Sequence, residues 1–186
     1  MFTISGPSQH QRTIIDPGEP RFCARCASPL ELIERGGRLR PHCPLCGWTY
    51  YAKNATGAAV AITQHHRILL AQRKFDPLAG YWTLPAGYVE YGDSAADTAV
   101  REALEECGVN VALGHLVGVY FGTDDPRDSA HLIVYEATVI DGELSPSDDV
   151  SRLRWFAFDD LPENIAFTGQ RQAIHDWAVR QHNEAR

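Results

Sequence analysis

The sequence predicts an α/β (α+β) fold, a mixed sheet flanked by helices, with a small metal-bound ribbon in front of it. Three observations carry this. Strand-like runs recur along most of the 186 residues and are interrupted by two helical stretches. Four cysteines come as Cys23-x-x-Cys26 and Cys43-x-x-Cys46, with sixteen residues between the pairs. The stretch Gly87 to Val109, GYVEYGDSAADTAVREALEECGV, reads as a loop feeding a short helix with a crowded acidic face.

Residues 1–20 are polar and proline-rich, and they predict an arm. Residues 21–50 form the ribbon. Each CxxC turn places two thiolates in one quadrant of a tetrahedron, and two turns close it around Zn²⁺. Disulfides and a redox pair are the competing readings. The start of the chain shows no basic segment followed by an apolar core, which points to the cytoplasm, where thiols stay reduced. Between the pairs, LELIERGGRLRPH reads as a hairpin turning at Gly36-Gly37. So small a unit buries too little core alone, and the metal supplies folding energy. Four thiolates leave no open position, so this zinc is structural, and His42 beside Cys43 is not needed as a ligand. Trp48 to Asn54 is a short aromatic linker, expected to pack the ribbon on the domain over 55–186.

Within 55–186, ATGAAVAIT (55–63) and RILLAQR (67–73) are strands joined by a turn at His65-His66. These histidines have no third ligand nearby and read as solvated. A loop over 75–80 precedes a short strand at Tyr81–Leu84, which Pro85 ends. After the acidic stretch, 111–122 and the β-branched 131–140 are strands, with bends at Gly114 and Gly118. RLRWFAF (152–158) alternates as another strand. Residues 169–182 form an amphipathic helix with Ala173, Ile174, Trp177 and Ala178 on one face.

In the acidic stretch, Glu102, Glu105 and Glu106 stand at i, i+3 and i+4, side by side on a helix. Three like charges repel unless a cation sits among them, and oxygen-only donors suit Mg²⁺ or Mn²⁺. A solvated acidic face is the plain alternative. Gly87 permits a tight turn that aims its carbonyl at a metal. Asp93 or Ser94 caps the helix and Gly108 ends it. Arg101 lies four residues before Glu105 and can hold that carboxylate. Alanines 95, 96, 99 and 103 permit close packing on the sheet. Cys107 reads as a small buried hydrophobe.

The net charge of −7 is uneven. Residues 1–54 carry seven Lys+Arg against four Asp+Glu, while 55–186 carry ten against twenty. The acidic part argues against a nucleic-acid backbone as principal partner. The basic part reads as a solvated surface or as a holder of phosphates or RNA. No apolar run approaches the length of a membrane span.

Read at fixed spacing, the stretch is Gly87, five residues, Asp93, seven residues, then Arg101-Glu102-Ala103-Leu104-Glu105-Glu106-Cys107-Gly108-Val109. This resembles the Nudix box, GX5EX7REUXEEXGU with U aliphatic. Asp93 departs from the usual Glu by one methylene, and Ala86 stands where many members carry glycine. The resemblance implies a Nudix-type α/β/α sandwich and a Mg²⁺- or Mn²⁺-assisted attack of water on the diphosphate of a nucleoside diphosphate linked to another moiety. It makes Glu105 and Glu106 metal ligands, Glu102 a further ligand or the base, and the Gly87 carbonyl a ligand. Asp124, Asp125, Glu136, Asp148 and Asp149 are candidates for a carboxylate outside the box.

A four-cysteine ribbon before such a domain is similar to the NADH pyrophosphatase branch. TLPAGYVEYGDSA and IAFTGQRQAI are similar to zinc-ribbon members that hydrolyse FAD or ADP-ribose. The Ser-Gln-Pro-Trp-Pro-Phe-Pro stretch of NADH pyrophosphatases is absent; VALGHLVGVYFGTDDP stands there. The implied substrate is a dinucleotide or nucleotide sugar of the FAD, ADP-ribose or NADH class, with AMP released, and resemblance alone suggests a homodimer. Tyr81, Trp82, Tyr120 and Phe121 are either core packing or a face for the base. The alternatives are a nucleotide- or RNA-binding protein without turnover and a house-cleaning hydrolase of modified nucleotides. A repulsive acidic cluster has no use in a pure sensor.

Overall fold

The structure is a computed structural model that describes residues 19–126 and 128–184. The arm expected over 1–20 lies outside the described residues up to position 18. Two compact units divide between Lys53 and Asn54.

In the first unit, β1 (Glu31–Glu34) and β2 (Leu39–His42) form an antiparallel hairpin turning at Gly36-Gly37. The expected linker touches β2 through one isolated bridge. His42 bridges Thr49, and Tyr50 N–H donates to the Pro41 carbonyl at 2.8 Å. The outer edge of β2 needs backbone partners, and the chain leaving the second CxxC turn supplies them.

The second unit is a seven-stranded mixed sheet with one helix packed on each side. Its strands are β3 (Ala55–Gln64), β4 (Arg67–Arg73), β5 (Trp82–Thr83), β6 (Ala86–Tyr88), β7 (Val109–Gly122), β8 (Ala130–Gly142) and β9 (Val150–Ala157). The order is β5-β4-β3-β8-β7, with β6 also paired to β3 and β9 to β4. β3 and β8 run parallel, and the other pairs are antiparallel. β3 is small and almost wholly buried, because both its faces are covered. Its alternate residues feed two cores: Ala58, Val60 and Ile62 meet α1 (Ala95–Cys107), while Ala59 and Ala61 join the core beneath α2 (Thr168–Glu184). Ala173, Ile174 and Trp177 are buried as the amphipathic pattern predicts. The register of β7 slips around Gly114 and Gly118, where bends are expected.

The boundaries of α1 follow from capping. Ser94, not Asp93, is the N-cap, and its hydroxyl accepts from Asp97 N–H at 3.1 Å. Gly108 is left-handed at φ 73° and closes the helix on Leu104 and Ala103 carbonyls. Ala99, Ala103 and Cys107 are fully buried against the sheet. That seating turns the acidic flank toward β6.

Candidate active site

The four thiols meet. Cys23 Sγ lies 3.5 Å from Cys46 Sγ, and Cys26 Sγ lies 3.4 Å from Cys43 Sγ. All four sulfurs fall within 4.8 Å of one another, and none is in a disulfide. Sulfurs at the corners of a zinc tetrahedron stand about 3.8 Å apart, given Zn–S of about 2.3 Å. The donor set therefore fits Zn²⁺. The two turns are built alike. Cys23 and Cys43 N–H donate to Ser28 and Trp48 carbonyls, and Ala27 and Gly47 both take positive φ. The Ser28 N–H, then its hydroxyl, hold the Cys26 thiol down to about 6. His42 Nδ1 instead meets Thr49 Oγ1 at 2.9 Å.

The acidic face is arranged differently from the sequence expectation. Gly87 is not in a tight turn. It lies in β6, extended and paired with Ala58, and lacks positive φ. Glycine is needed there for a different reason: a Cβ would fall inside the Glu102 carboxylate, with Oε2 at 2.9 Å. Glu102 is buried beneath β6. Arg101 Nη1 bridges Glu102 at 2.8 Å and Glu105 at 2.7 Å, while Nη2 reaches the Tyr88 carbonyl at 3.4 Å. Burial opposes the Arg101 charge, yet its two glutamates keep its pKa raised. Burial also raises Glu102, against the pull of Arg101.

Glu106 points into a cavity of about 440 Å³ and accepts from Ala86 N–H at 3.1 Å. Burial pushes its carboxyl up to about 7; Ala86 N–H and Arg73 oppose this, and Glu102 and Asp149 add to it. Gly87 and Asp149 line the same cavity, whereas Glu102 stands behind Gly87 and Glu105 is more than half exposed. Among the described residues, the cysteines form a group of ligand atoms within 4.8 Å; the three glutamates do not. They fit a hard divalent cation nonetheless, by donor chemistry and by the close seat of Glu102 under Gly87.

The carboxylates outside the box separate clearly. Asp125 and Asp149 line the cavity. Asp124 also lines it, but is occupied: it accepts from Thr168 N–H and hydroxyl at 2.8 and 2.9 Å and pairs with Arg171 at 3.0 Å. Slight burial acts the other way, yet these partners hold Asp124 below its ordinary range. Glu136 is away from the cavity, between Thr63 and His115. Asp148 does not line it.

Of the aromatic candidates, Trp82 and Tyr120 are core packing, because their strands face α2, while Tyr81 and Phe121 are exposed and neither lines the cavity. Phe75, Phe167 and Tyr88 line it instead. Arg73 stacks over Phe167 at 5.1 Å, and Lys74 Nζ is 5.5 Å from the Phe75 ring. Phe75 and Phe167 sit in irregular segments, where no periodicity marks a ring as facing a site.

Comparison with known proteins agrees with this geometry. A model of the NUDIX domain matches residues 53–177, about two thirds of the chain. An ADP-ribose pyrophosphatase of Methanocaldococcus jannaschii is 36% identical over 122 residues, 65% of this chain and 72% of that protein. A NAD-capped RNA hydrolase NudC of Stutzerimonas stutzeri is 32% identical over 144 residues, 76% of this chain and 50% of that protein. The chain thus spans about half the length of its NudC relative. The crystal structure of a NUDIX hydrolase from Nitrosomonas europaea superposes with TM-score 0.79 at 26% identity, covering 88% of this chain and 93% of that one. A MutT NUDIX hydrolase from Burkholderia pseudomallei superposes with TM-score 0.60 at 33% identity, covering 67% and 98%. The fitted helix of the box, the mixed sheet between two helices and a domain match of this extent agree, and the chain belongs to the Nudix family of hydrolases.

Proposed function

We propose that this Nudix hydrolase splits the diphosphate of an ADP-containing dinucleotide or nucleotide sugar of the ADP-ribose, FAD or NADH class, the dinucleotide being free or the 5′ end of an RNA. The observation that carries the reading is the placement of Glu106. It lies on the wall of a cavity of about 440 Å³, beside Gly87 and Asp149, with Arg73, Lys74, Phe75 and Phe167 lining the rest. That volume lies in the range of small-molecule sites.

Glu102, Glu105, Glu106 and the Gly87 carbonyl would hold Mg²⁺ or Mn²⁺, with Asp149 as the carboxylate from outside the box. When bound, the cation neutralises phosphate charge and acidifies the attacking water. Glu102 serves as ligand or base. Arg101 holds Glu102 and Glu105 in position. Arg73 and Lys74 offer charge-assisted hydrogen bonds to phosphate oxygens, and the two phenylalanines offer a face to the base. Water adds to one phosphorus and the bridging P–O bond breaks, the bridging oxygen leaving with the other phosphorus; the products are AMP and the phosphorylated other moiety, or, where the dinucleotide ends an RNA, that moiety and an RNA with a 5′-monophosphate. The four-cysteine ribbon holds Zn²⁺ for folding only.

The test is a screen of ADP-ribose, FAD, NADH, diadenosine polyphosphates and nucleoside triphosphates with Mg²⁺ and Mn²⁺, with products read by mass. AMP is expected from the first three. Glu106→Gln and Glu105→Gln should each lower kcat by roughly 10²–10³-fold, since lost charge stabilisation of a few kcal/mol has that effect. Full activity in both variants contradicts the mechanism.

A further inference from the structure

Gln170 is only 6% exposed, yet one end of its side chain has no partner in the protein. It stands in the first turn of α2 and lines the cavity. Leu84 N–H reaches it at 3.1 Å. A backbone N–H can only donate, so the atom it meets is the carbonyl oxygen Oε1, and the amide NH₂ is directed elsewhere. Among the described residues, no acceptor lies within hydrogen-bond distance of Nε2. The buried side-chain polar atoms sealed away without a partner are Thr98 Oγ1 and Trp177 Nε1, and Gln170 Nε2 is not one of them. It therefore opens onto the cavity that its side chain lines. A half-paired amide at this depth is unfavourable on its own, and the fold nonetheless anchors its oxygen and leaves its donor facing the cavity.

The residue three before it is held as firmly. Phe167 takes φ 56°, a left-handed conformation unfavourable for a bulky side chain. Its neighbours on both sides are pinned. Ala166 N–H donates to the Trp82 carbonyl at 2.8 Å, Arg171 Nη1 to the Ile165 carbonyl at 3.1 Å, and Thr168 N–H to Asp124 at 2.8 Å. The surroundings maintain the strain, and the result is an aromatic ring on the cavity wall. Arg73 lies over that ring at 5.1 Å, and its charge acts on the Glu106 carboxyl, so ring, guanidinium and Glu106 are neighbours.

The acceptor that suits Nε2 is uncharged. Asp124 already holds the α2 N-terminus through Thr168 N–H and hydroxyl, and Asp125 and Asp128 line the cavity as well. A phosphate brought to that end meets these carboxylates, whereas Arg73 and Lys74 on the same cavity attract it. A flat heterocycle against Phe167 meets no such repulsion, and its ring nitrogens accept in the ring plane. An exocyclic amine does not fit, because it sets donor against donor.

We infer that Gln170 is a specificity-determining residue of the cavity: its Nε2 donates to an endocyclic nitrogen of the adenine, while Phe167 receives the face of that ring. This deepens the proposed function and rests on it for the identity of the ring, but the pairing itself is read from binding, without turnover.

The probe is ADP-ribose, whose one aromatic ring is adenine, beside its 1-deaza, 3-deaza and 7-deaza forms, each with one ring nitrogen replaced by C–H. Kd is measured by calorimetry on the full chain without divalent cation, and kcat and KM with Mg²⁺. Wild-type protein should bind one of the three forms about fivefold to tenfold more weakly than the parent, because one hydrogen bond from a buried amide is lost. With Mg²⁺ the same loss should fall on KM more than on kcat. Gln170→Met is close in volume. Gln170→Glu keeps an oxygen for Leu84 N–H and removes the amide donor. Both should bind the parent and that form alike. The comparison is between two ligands on one variant, so a general loss of packing cancels. Phe167→Leu should weaken parent and deaza forms together by about fivefold to tenfold, because all share the stack. Deaza forms that bind wild type as the parent does, or that are all weakened alike, overturn the inference. A preference that survives in both Gln170 variants overturns it too, as does ADP-ribose that does not bind. The expected binding pattern without release of AMP under Mg²⁺ or Mn²⁺ overturns the proposed function and leaves the Gln170 pairing standing.

Discussion

The cysteine turns and the box helix are two ways of crowding anions, and they differ in what is finished by the chain alone. In the ribbon, all four sulfurs already stand within 4.8 Å of one another. In the box, the carboxylates are spread over a buried seat, an exposed ion pair and a cavity wall, and Arg101 bridges two of them. A closed site that serves folding has its donors converged and no position left over. On the proposed function, the open site keeps its donors apart, partly satisfied by a guanidinium and a backbone N–H, and a cation and a substrate would complete it together. The soft donors suit zinc, and the hard ones suit Mg²⁺ or Mn²⁺.

The largest effect should come from breaking the closed site. Cys43→Ser should release zinc and unfold the ribbon, because structural zinc contributes on the order of 10 kcal/mol to a module this small. Zinc analysis and amide exchange over residues 21–51 check this; exchange protection equal to wild type in zinc-free protein contradicts it. The open site should respond instead to geometry. Gly87→Ala drives a methyl into the Glu102 carboxylate. A destabilisation of about 1–3 kcal/mol is expected from overpacking, with turnover falling more than stability does. Chemical denaturation beside kcat separates the two.

Much of this was legible in the sequence where a local rule acts alone. The CxxC spacing brought the sulfurs together without knowledge of any other contact. Ser94 and Gly108 bounded α1, and the buried alanines followed from the helical period. Legibility ended where tertiary order decides. Gly87 was read as a turn, because a strand of three residues has too short a pattern to see; only its pairing with β3 reveals β6. Trp48 to Asn54 reads as a linker and carries no strand, but its isolated bridge from Thr49 to His42 has no local signal, because nothing local shows that β2 has an open edge. Trp82 and Tyr120 look like any aromatic on a strand until the sheet order says which face meets α2. Asp149 lies 43 positions after Glu106, and only the pairing of β9 with β4 carries it to the cavity.

A smaller effect tests the wall of the open site. Asp124 caps α2 from a distant loop, so Asp124→Asn should cost about 1 kcal/mol. Its carboxyl is held below the ordinary range in the folded chain. The unfolded chain therefore takes up the proton first as pH falls. The stabilisation is complete above the ordinary carboxylate range and is lost as pH drops through the folded value. Melting curves from pH 7 to pH 3 should show the variant and wild type converging at the acid end; a constant gap contradicts the assignment. The smallest effect lies in the ribbon. Ala27 takes φ 57° where the matching turn has Gly47 at 75°. Ala27→Gly should stabilise the zinc-bound ribbon by roughly 0.5–1 kcal/mol, seen as tighter zinc retention against a chelator.

The difference between the two sites is tested most directly by separating their metals. Protein is stripped with a chelator mild enough to leave one zinc per chain, and hydrolysis of ADP-ribose is measured before and after Mg²⁺ or Mn²⁺ is returned. Activity should vanish with zinc still bound and return with the divalent cation, in wild type but not in Glu106→Gln. Hydrolysis that persists in the stripped, zinc-loaded protein, or that returns fully in Glu106→Gln, would contradict an open carboxylate site as the seat of the chemistry.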